Sequence, residues 1–284
     1  MKTHKIAILS ILLFSIYLRA WSQMQTERGT TVVIDVAKDK VIIAADSRGK
    51  RADGSYRDDD CKISAFDNKI IFASAGLRHG DIVSKERTLV WDSHDVAVKA
   101  FKMAAAKPLG VNNATVSSVA HEWMTLAQKY FLDLMQTDPQ LVLKIPSYGY
   151  GGGNSIVQGV FVGKDRVGHV TAMYADVQIN RSVPTIESSS QTLLPGELEV
   201  MGHHSVVPEF YRGSSLRAMA EVNEWKRTVI GKDASEQRVM LITQLVKWSV
   251  LYEPEGVGGD VDTAVFDSSG VHWIYRKANC KASE

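Results

Sequence analysis

The chain has 284 residues, of which 45% are hydrophobic and 23% charged, and its 33 basic and 32 acidic side chains leave a formal net charge of +1. These proportions are ordinary for a globular protein and exclude a collagen-like, disordered or polytopic membrane chain. They also argue against nucleic acid as a partner, because the basic excess that neutralises phosphates is missing. The length suits one large domain or two small ones with a sizeable core, and since the sequence has no low-complexity linker and no internal repeat, one domain is the simplest interpretation.

The first residues predict a secretory signal peptide over 1–22. Two lysines precede an apolar run of 13 residues, and small residues at Ala20 and Ser22 precede a possible cleavage site. A membrane-spanning helix needs about 20 apolar residues, so a retained anchor is the alternative that fits the run less well. We therefore expect export to the periplasm or the extracellular space, with no stable membrane span after the signal is removed.

Cys61 and Cys280 are the only cysteines in the sequence. In an exported protein they could form a disulfide, but the sequence does not give the distance between their Cα atoms. A disulfide and two free thiols therefore both remain open.

Two successive β-hairpins are predicted near the start of the folded part. The β-branched runs 31–36 and 41–45 form the first, and 62–66 with 69–75 form the second. If the first hairpin turns symmetrically about Lys38 and Asp39, Thr31 lies opposite Asp46. If the second turns about Asp67 and Asn68, Lys62 lies opposite Ala73. This arrangement would bring several polar side chains to one end of a sheet.

The rest of the chain predicts alternating blocks of helices and strands. The expected elements are a helix over 81–103, a helix capped by Asn112 or Asn113, strands at 155–162 and 169–174, a helix over 207–225, a helix after Asp233 with Glu236 in a capping box, and strands at 263–266 and 271–275. Such blocks favour the α+β class, with helices packed as layers on antiparallel sheets, over alternating βαβ units.

The candidate chemistry lies in four spaced groups, Thr30, Asp46, Lys62 and Gly76. A threonine hydroxyl is a weak nucleophile unless a base removes its proton, and an N-terminal threonine carries its own base because an α-amino group titrates at about 7.7–8.0. A lysine ammonium would favour the alkoxide form, and a buried aspartate would hold that lysine charged and oriented. A glycine N–H could stabilise the oxyanion.

The sequence resembles the catalytic β-subunits of the proteasome and their bacterial relatives, which are N-terminal nucleophile (Ntn) hydrolases. The resemblance lies in the spacing of Lys62 and of three segments, Gly29-Thr30-Thr31, Ala44-Ala45-Asp46-Ser47-Arg48 and Ser74-Ala75-Gly76. The resemblance implies a four-layer αββα fold of two antiparallel sheets flanked by helices, over 30–284. It also implies that a short propeptide, 23–29, is removed by autocatalytic cleavage between Gly29 and Thr30. No metal ion or organic cofactor is expected.

The resemblance further implies substrate-binding roles for Asp60, Ser74 and Arg78, and assembly into a homo-oligomer, of which a ring is one form. Two supporting serines of the family have no clear counterpart: the segments Gly202-His203-His204-Ser205 and Pro254-Glu255-Gly256-Val257-Gly258-Gly259 stand in their place. Glu253, Glu255 or Ser205 are the candidate substitutes.

The sequence therefore predicts a self-processing threonine-type hydrolase, a threonine endopeptidase-like enzyme that cleaves a peptide or protein substrate. Two alternatives stay open. One is a small-molecule amidase or acylase that uses the same nucleophile. The other is a non-catalytic binding or assembly protein that retains the fold.

Overall fold

The computed structural model describes residues 24–27, 30–51, 54–83, 88–106, 115–145, 154–202 and 205–280. The predicted signal peptide, 1–22, and the predicted cleavage residue Gly29 lie outside these ranges. Of the predicted propeptide, 24–27 is described and forms a strand.

The strands are β1 (Met24–Glu27), β2 (Thr31–Val36), β3 (Val41–Ala45), β4 (Gly49–Lys50), β5 (Tyr56–Arg57), β6 (Ile63–Phe66), β7 (Ile70–Gly76), β8 (His79–Val83), β9 (Thr88–Asp92), β10 (Ser155–Lys164), β11 (Val170–Asn180), β12 (Thr185–Leu193), β13 (Leu198–Gly202), β14 (Asp262–Asp267) and β15 (Gly270–Tyr275). The helices are α1 (Ser93–Ala105), α2 (Val116–Thr137), α3 (Pro139–Lys144), α4 (Val206–Arg212), α5 (Leu216–Thr228) and α6 (Ala234–Tyr252).

The strands form two five-stranded sheets with the orders β12-β11-β10-β7-β6 and β13-β2-β3-β14-β15. A three-stranded sheet has the order β1-β8-β9, and β4 pairs with β5. Every described pairing is antiparallel. The chain is thus a mixed structure of helices and antiparallel sheets, compatible with the predicted α+β class.

Three hydrophobic cores explain why β2, β3 and β7 are buried along their whole length. Helices α1 and α2 pack on the first sheet, where the ring of Phe72 meets those of Trp123 and Phe161. A second core lies between the two five-stranded sheets and includes Ile34 and Val160. The third joins the other face of the second sheet to α4, α5 and α6. Because β2, β3 and β7 are covered on both faces, they read as nearly continuous apolar runs, whereas the edge strand β12 is largely exposed.

The register of the first hairpin is confirmed. Val32 pairs with Ala45 and Val36 with Val41, and the N–H of Asp46 donates to the carbonyl oxygen of Thr31 at 3.3 Å. Thr31 and Asp46 therefore lie side by side at the open end of the hairpin, as the sequence predicted.

The predicted register of the second hairpin is wrong by one residue. Ile63, not Lys62, pairs with Ala73, because Phe66 pairs with Ile70 and the turn holds three residues rather than two. Asp67 and Asn68 both take the left-handed conformation, with φ of 48° and 55°, and Lys69 closes the turn on Phe66. Since side chains alternate between the two faces of a strand, this single step changes which residues face Lys62.

Several other expectations need correction. The helix expected over 81–103 begins only at Ser93, because β8 and β9 form a hairpin before it. The expected helix over 207–225 is two helices, α4 and α5, separated at Gly213, where φ is 59°. Strands β12 and β13 were not predicted.

The predicted helix caps have different outcomes. Asn112 and Asn113 lie outside the described residues, and Thr115 caps α2. The capping box at Asp233 is confirmed on its aspartate side, since the carboxylate accepts the N–H of Glu236 at 2.8 Å. Within the described residues, no helix is both long and apolar enough to cross a membrane.

Candidate active site

Asp46 lies at the end of β3 and is fully buried. Its carboxylate accepts three backbone N–H groups, from Thr31 at 2.8 Å, Arg48 at 3.1 Å and Gly258 at 3.0 Å. Burial raises the pKa of Asp46 to about 6, against the lowering effects of the Lys62 charge and of these three donors. The donors are main-chain groups, so the carboxylate is fixed by the fold itself.

Lys62 directly precedes β6, and its side chain is 1% exposed. Its ammonium donates to Oδ2 of Asp60 at 3.1 Å and interacts electrostatically with Asp46. Burial, and after it the neighbouring charge of Arg78, lower the pKa of Lys62 to about 8 against the raising effects of both aspartates. The buried ammonium of Lys62 thus interacts with two carboxylates, that of Asp60 directly and that of Asp46 electrostatically.

Asp60 has a different environment from the one that the sequence predicted. It is 6% exposed, and its Oδ2 accepts from both Lys62 and Nη1 of Arg78, the latter at 2.9 Å. Burial alone would raise the pKa of Asp60, but the charges of Lys62 and Arg78 outweigh burial and keep it below its usual range. Asp60 therefore joins Lys62 and Arg78 through one carboxylate oxygen, and their role in substrate binding stays a prediction.

Ser74 is 1% exposed, and its hydroxyl hydrogen-bonds that of Ser93 at 2.8 Å. It thus meets the first residue of α1 in the interior.

Thr30 is 2% exposed and directly precedes β2. Gly202, at the end of β13, packs against it so closely that a Cβ on Gly202 would lie 1.9 Å from the carbonyl oxygen of Thr30. The same Cβ would lie 3.2 Å from that of Ala75 on β7. Gly202 therefore fits between Thr30 and the residue that precedes Gly76, and it brings the two sheets together at this end.

Gly76 ends β7 with φ of +88°, where a side chain would be strained. A Cβ there would also lie 2.6 Å from the carbonyl oxygen of Ile156 on the neighbouring strand. Both observations require glycine at this position. Thr30, Asp46, Lys62 and Gly76 thus converge on one end of the paired sheets.

The loop at 254–259, which precedes β14, packs against Asp46 and Ser47. Besides the Gly258 N–H, its Gly258 carbonyl oxygen accepts from the N–H of Ser47 at 3.1 Å. Gly259 has φ of +68°, and a Cβ there would lie 2.2 Å from Oγ of Ser47. Of the candidate substitutes for the missing serines, the hydroxyl of Ser205 donates to the carboxylate of Glu253.

Cys61 and Cys280 form a disulfide, with Cα atoms 5.5 Å apart. Cys61 lies between Asp60 and Lys62 in the chain, so the bond ties the C-terminal segment to the buried charges. Lys277 reinforces this link, because its ammonium donates to the carbonyl oxygen of Asp60 and pairs with Asp262 at 3.1 Å.

One group of side chains within the described ranges has the spacing of a metal site, Asp92, His94 and Asp95, with ligand atoms within 4.8 Å of one another. However, the Asp92 carboxylate caps α1 by accepting the N–H groups of His94 and Asp95. A surface cleft of about 600 Å³ lies at the β2–β3 turn near Lys40, at the opposite end of these strands from Thr30.

No protein-family model matches the chain, and no curated protein matches it. The site is therefore described by its own geometry. Sequence reasoning assigned no role to Gly202 and none to Asp60 as the partner of Lys62. The second had a readable signal, because residues two apart on an extended chain share a face, whereas the first depends on the unpredicted strand β13.

Proposed function

We propose that the protein is a self-processing threonine-type hydrolase in which Thr30, once released as an N-terminal residue, is the nucleophile. The observation that carries this proposal is the link from Thr30 to the buried charges. Asp46 accepts the N–H of Thr31, next to Thr30, and interacts electrostatically with the buried ammonium of Lys62. A nearby cation in a site with little water stabilises the alkoxide form of a threonine hydroxyl.

The proposal includes the four-layer αββα fold of the Ntn hydrolases. Support comes from the order of the three cores: helices on one sheet, sheet on sheet, and helices on the outer face of the second sheet. In such a fold, the paired strand ends of both sheets meet around the nucleophile.

The proposed maturation is an acyl shift followed by hydrolysis. The hydroxyl oxygen of Thr30 attacks the carbonyl carbon of Gly29, the peptide C–N bond breaks, and the nitrogen takes up the proton that the hydroxyl loses. This shift leaves the α-amine of Thr30 free. Water then hydrolyses the resulting ester, which restores the hydroxyl and releases the propeptide with a carboxylate at Gly29. The pKa of an α-amine is about 7.7–8.0 in reference peptides, so this amine can serve as the base in later turnovers.

In this scheme Lys62 stabilises the developing alkoxide, while Asp46 and Asp60 keep the lysine charged. The N–H of Gly76 is the proposed oxyanion donor. The same machinery would act on any amide carbonyl, so we propose peptide bonds as the substrate class and retain small-molecule amides as the second candidate. Export through the N-terminal signal and assembly into a homo-oligomer, including a ring, also belong to this proposal.

Covalent trapping tests the nucleophile. Purified chain is incubated with a peptide aldehyde or a β-lactone, which react with an N-terminal threonine, and the modified residue is located by peptide mass spectrometry. We expect the adduct on Thr30 and on a new N-terminus. A peptide library digested in parallel with simple amides separates the two substrate classes. An intact chain that forms no adduct and cleaves neither class would favour the non-catalytic binding protein.

A further inference from the structure

A chain of buried polar groups runs across the first sheet and ends on the glycine that packs against Thr30. Gln158 on β10 accepts the N–H of Gly202 with its Oε1 at 3.2 Å. Its Nε2 lies 3.4 Å from the hydroxyl oxygen of Ser155, and that hydroxyl donates to Oδ2 of Asp176 at 2.7 Å. Gln178 donates to the same oxygen at 2.6 Å.

All three inner members of this chain are buried, since Ser155, Gln158 and Asp176 are 4%, 8% and 3% exposed. Burial of polar groups is costly unless they are hydrogen-bonded, so their retention here needs a reason. On β10, Gln158 shares its face with Val160 and Val162, which lie in the core between the sheets. A polar residue thus replaces an apolar one in the inter-sheet core at the end nearest Thr30.

The direction of the hydrogen bonds fixes the orientation of Gln158. A backbone N–H can only donate, so the amide oxygen must face Gly202 and the amide NH₂ must face Ser155. Each donor then points toward Asp176. The one planar amide of Gln158 thus supplies both the acceptor for Gly202 and the donor for Ser155, and Tyr174 hydrogen-bonds both Gln158 and Asp176.

Gly202 is the member through which this chain reaches the candidate site. Its partner on β2 is Thr31, and its α-carbon contacts the Thr30 carbonyl so closely that no side chain fits. Gln158 itself pairs with Ala75, the residue before Gly76. The amide of Gln158 therefore crosses from the first five-stranded sheet to the second where Thr30 and Gly76 meet.

From this geometry we infer that Gln158 is a positioning residue, held by Ser155 and Asp176, that keeps Gly202 against Thr30 and so aligns the bond before Thr30 for cleavage. Its effect on cleavage rests on the proposed function. Its effect on the position of Gly202 is independent of the proposed function.

Two measurements on the full chain test this role. The first is amide hydrogen exchange at Gly202 in Gln158→Leu, which removes the contacts with Gly202, Ser155 and Tyr174 at similar volume. We expect exchange to become about tenfold faster, the effect of losing one buried hydrogen bond. The second is the rate of cleavage between Gly29 and Thr30, followed by intact mass, for which we expect a fall of about tenfold or more because misalignment of reacting groups is costly.

Gln128→Leu is the matched control. Gln128 on α2 also bridges a backbone carbonyl, that of Ile186 at 3.2 Å, and a hydroxyl, that of Ser188 at 2.9 Å, but in the helix–sheet layer. Like Gln158→Leu, it loses one hydrogen bond to the backbone and one to a serine hydroxyl, but both lie away from Gly202, so Gly202 exchange and cleavage should stay at the unmodified rates. Gln158→Glu is the second variant: it keeps an acceptor for Gly202 and should retain more of both properties than Gln158→Leu, which also covers poor folding of the leucine variant.

Unchanged Gly202 exchange in Gln158→Leu would overturn the inference, and so would faster exchange with an unchanged cleavage rate. An equal loss of cleavage in Gln128→Leu would overturn it too, by showing a general loss of stability. If the unmodified chain is never cleaved, the proposed function fails instead, and the exchange measurement alone decides whether Gln158 holds Gly202.

Discussion

The backbone N–H of Gly258 donates to Oδ2 of Asp46 at 3.0 Å, although 212 positions separate the two residues. With the N–H groups of Thr31 and Arg48, it surrounds the carboxylate with main-chain donors. Backbone donors cannot move to other rotamers, so Asp46 has one orientation. The negative charge beside Lys62 is therefore built in by the pairing of β2, β3 and the loop at 254–259.

Replacing Asp46 with asparagine should destabilise the fold. The amide has one acceptor oxygen instead of two, and its NH₂ would face an N–H donor. We expect the free energy of unfolding to fall by about 1–3 kcal/mol, the cost of leaving a buried polar group unsatisfied, as measured by urea denaturation. Asp165→Asn is the control, because Asp165 also accepts two backbone N–H groups but in an exposed turn. Equal losses in both variants would contradict the account.

Lys62 should make stability depend on alkaline pH. Its pKa is lowered from 10.5 to about 8 in the folded chain, so between these values the unfolded chain binds more protons. Stability contributed by this group therefore rises as the pH increases from about 8 to 10.5. Urea unfolding across this range should show the rise in the unmodified chain and lose it in Lys62→Met. Lys38→Met, at an exposed turn position, should keep it. Parallel curves for all three proteins would show that Lys62 ionises as it does in the unfolded chain.

The disulfide should contribute strongly to stability because it joins residues 219 positions apart. Chain-entropy arguments and measured disulfide removals both give about 2–5 kcal/mol for such a bond. Urea denaturation of Cys61→Ser/Cys280→Ser, compared with the unmodified chain under oxidising conditions, measures this contribution. A reductant should lower the midpoint of the unmodified chain and leave that of the double variant unchanged. A midpoint that is insensitive to reductant in both would contradict the bond's stabilising role.

Gly202→Ala should be far more harmful than a typical substitution of a left-handed glycine. Gly202 has φ of +80° and Gly168 has φ of +89°, but a Cβ on Gly168 would meet nothing within 4 Å. Gly168→Ala therefore measures the backbone strain alone, about 1–2 kcal/mol. Gly202→Ala adds the clash with Thr30, and overpacking of this kind costs about a further 1–3 kcal/mol. Thermal denaturation of both variants gives the difference, and equal shifts would mean that Gly202 does not press on Thr30.

The sequence predicted much of this arrangement because local patterns determine it. The β-branched runs of β2 and β3 flank a short symmetric turn, so the pairing of Thr31 with Asp46 could be derived from spacing alone. The predicted register of the second hairpin is wrong by one residue, because the left-handed conformations of Asp67 and Asn68 add Lys69 to the turn. The pattern of hydrophobic residues does not distinguish a three-residue turn from a two-residue turn at this position.

The contacts that complete the site are of another kind. Gly202 reaches Thr30 only because β13 pairs with β2, and Gly258 reaches Asp46 across 212 positions. Such contacts arise from long-range strand pairing, which a single sequence does not specify. Asp60 was assigned to substrate, although its position two residues before Lys62 already favoured an ion pair on one face of an extended segment.

The most direct test of the central claim is the N-terminus of the purified chain, determined by intact mass and N-terminal sequencing. The account predicts that the mature protein begins at Thr30, and that Thr30→Ala retains the residues before position 30. Thr30→Ser, which keeps a hydroxyl, should still be cleaved. An unmodified chain that keeps its Gly29–Thr30 bond, or a Thr30→Ala variant cleaved at the same rate as the unmodified chain, would contradict the account.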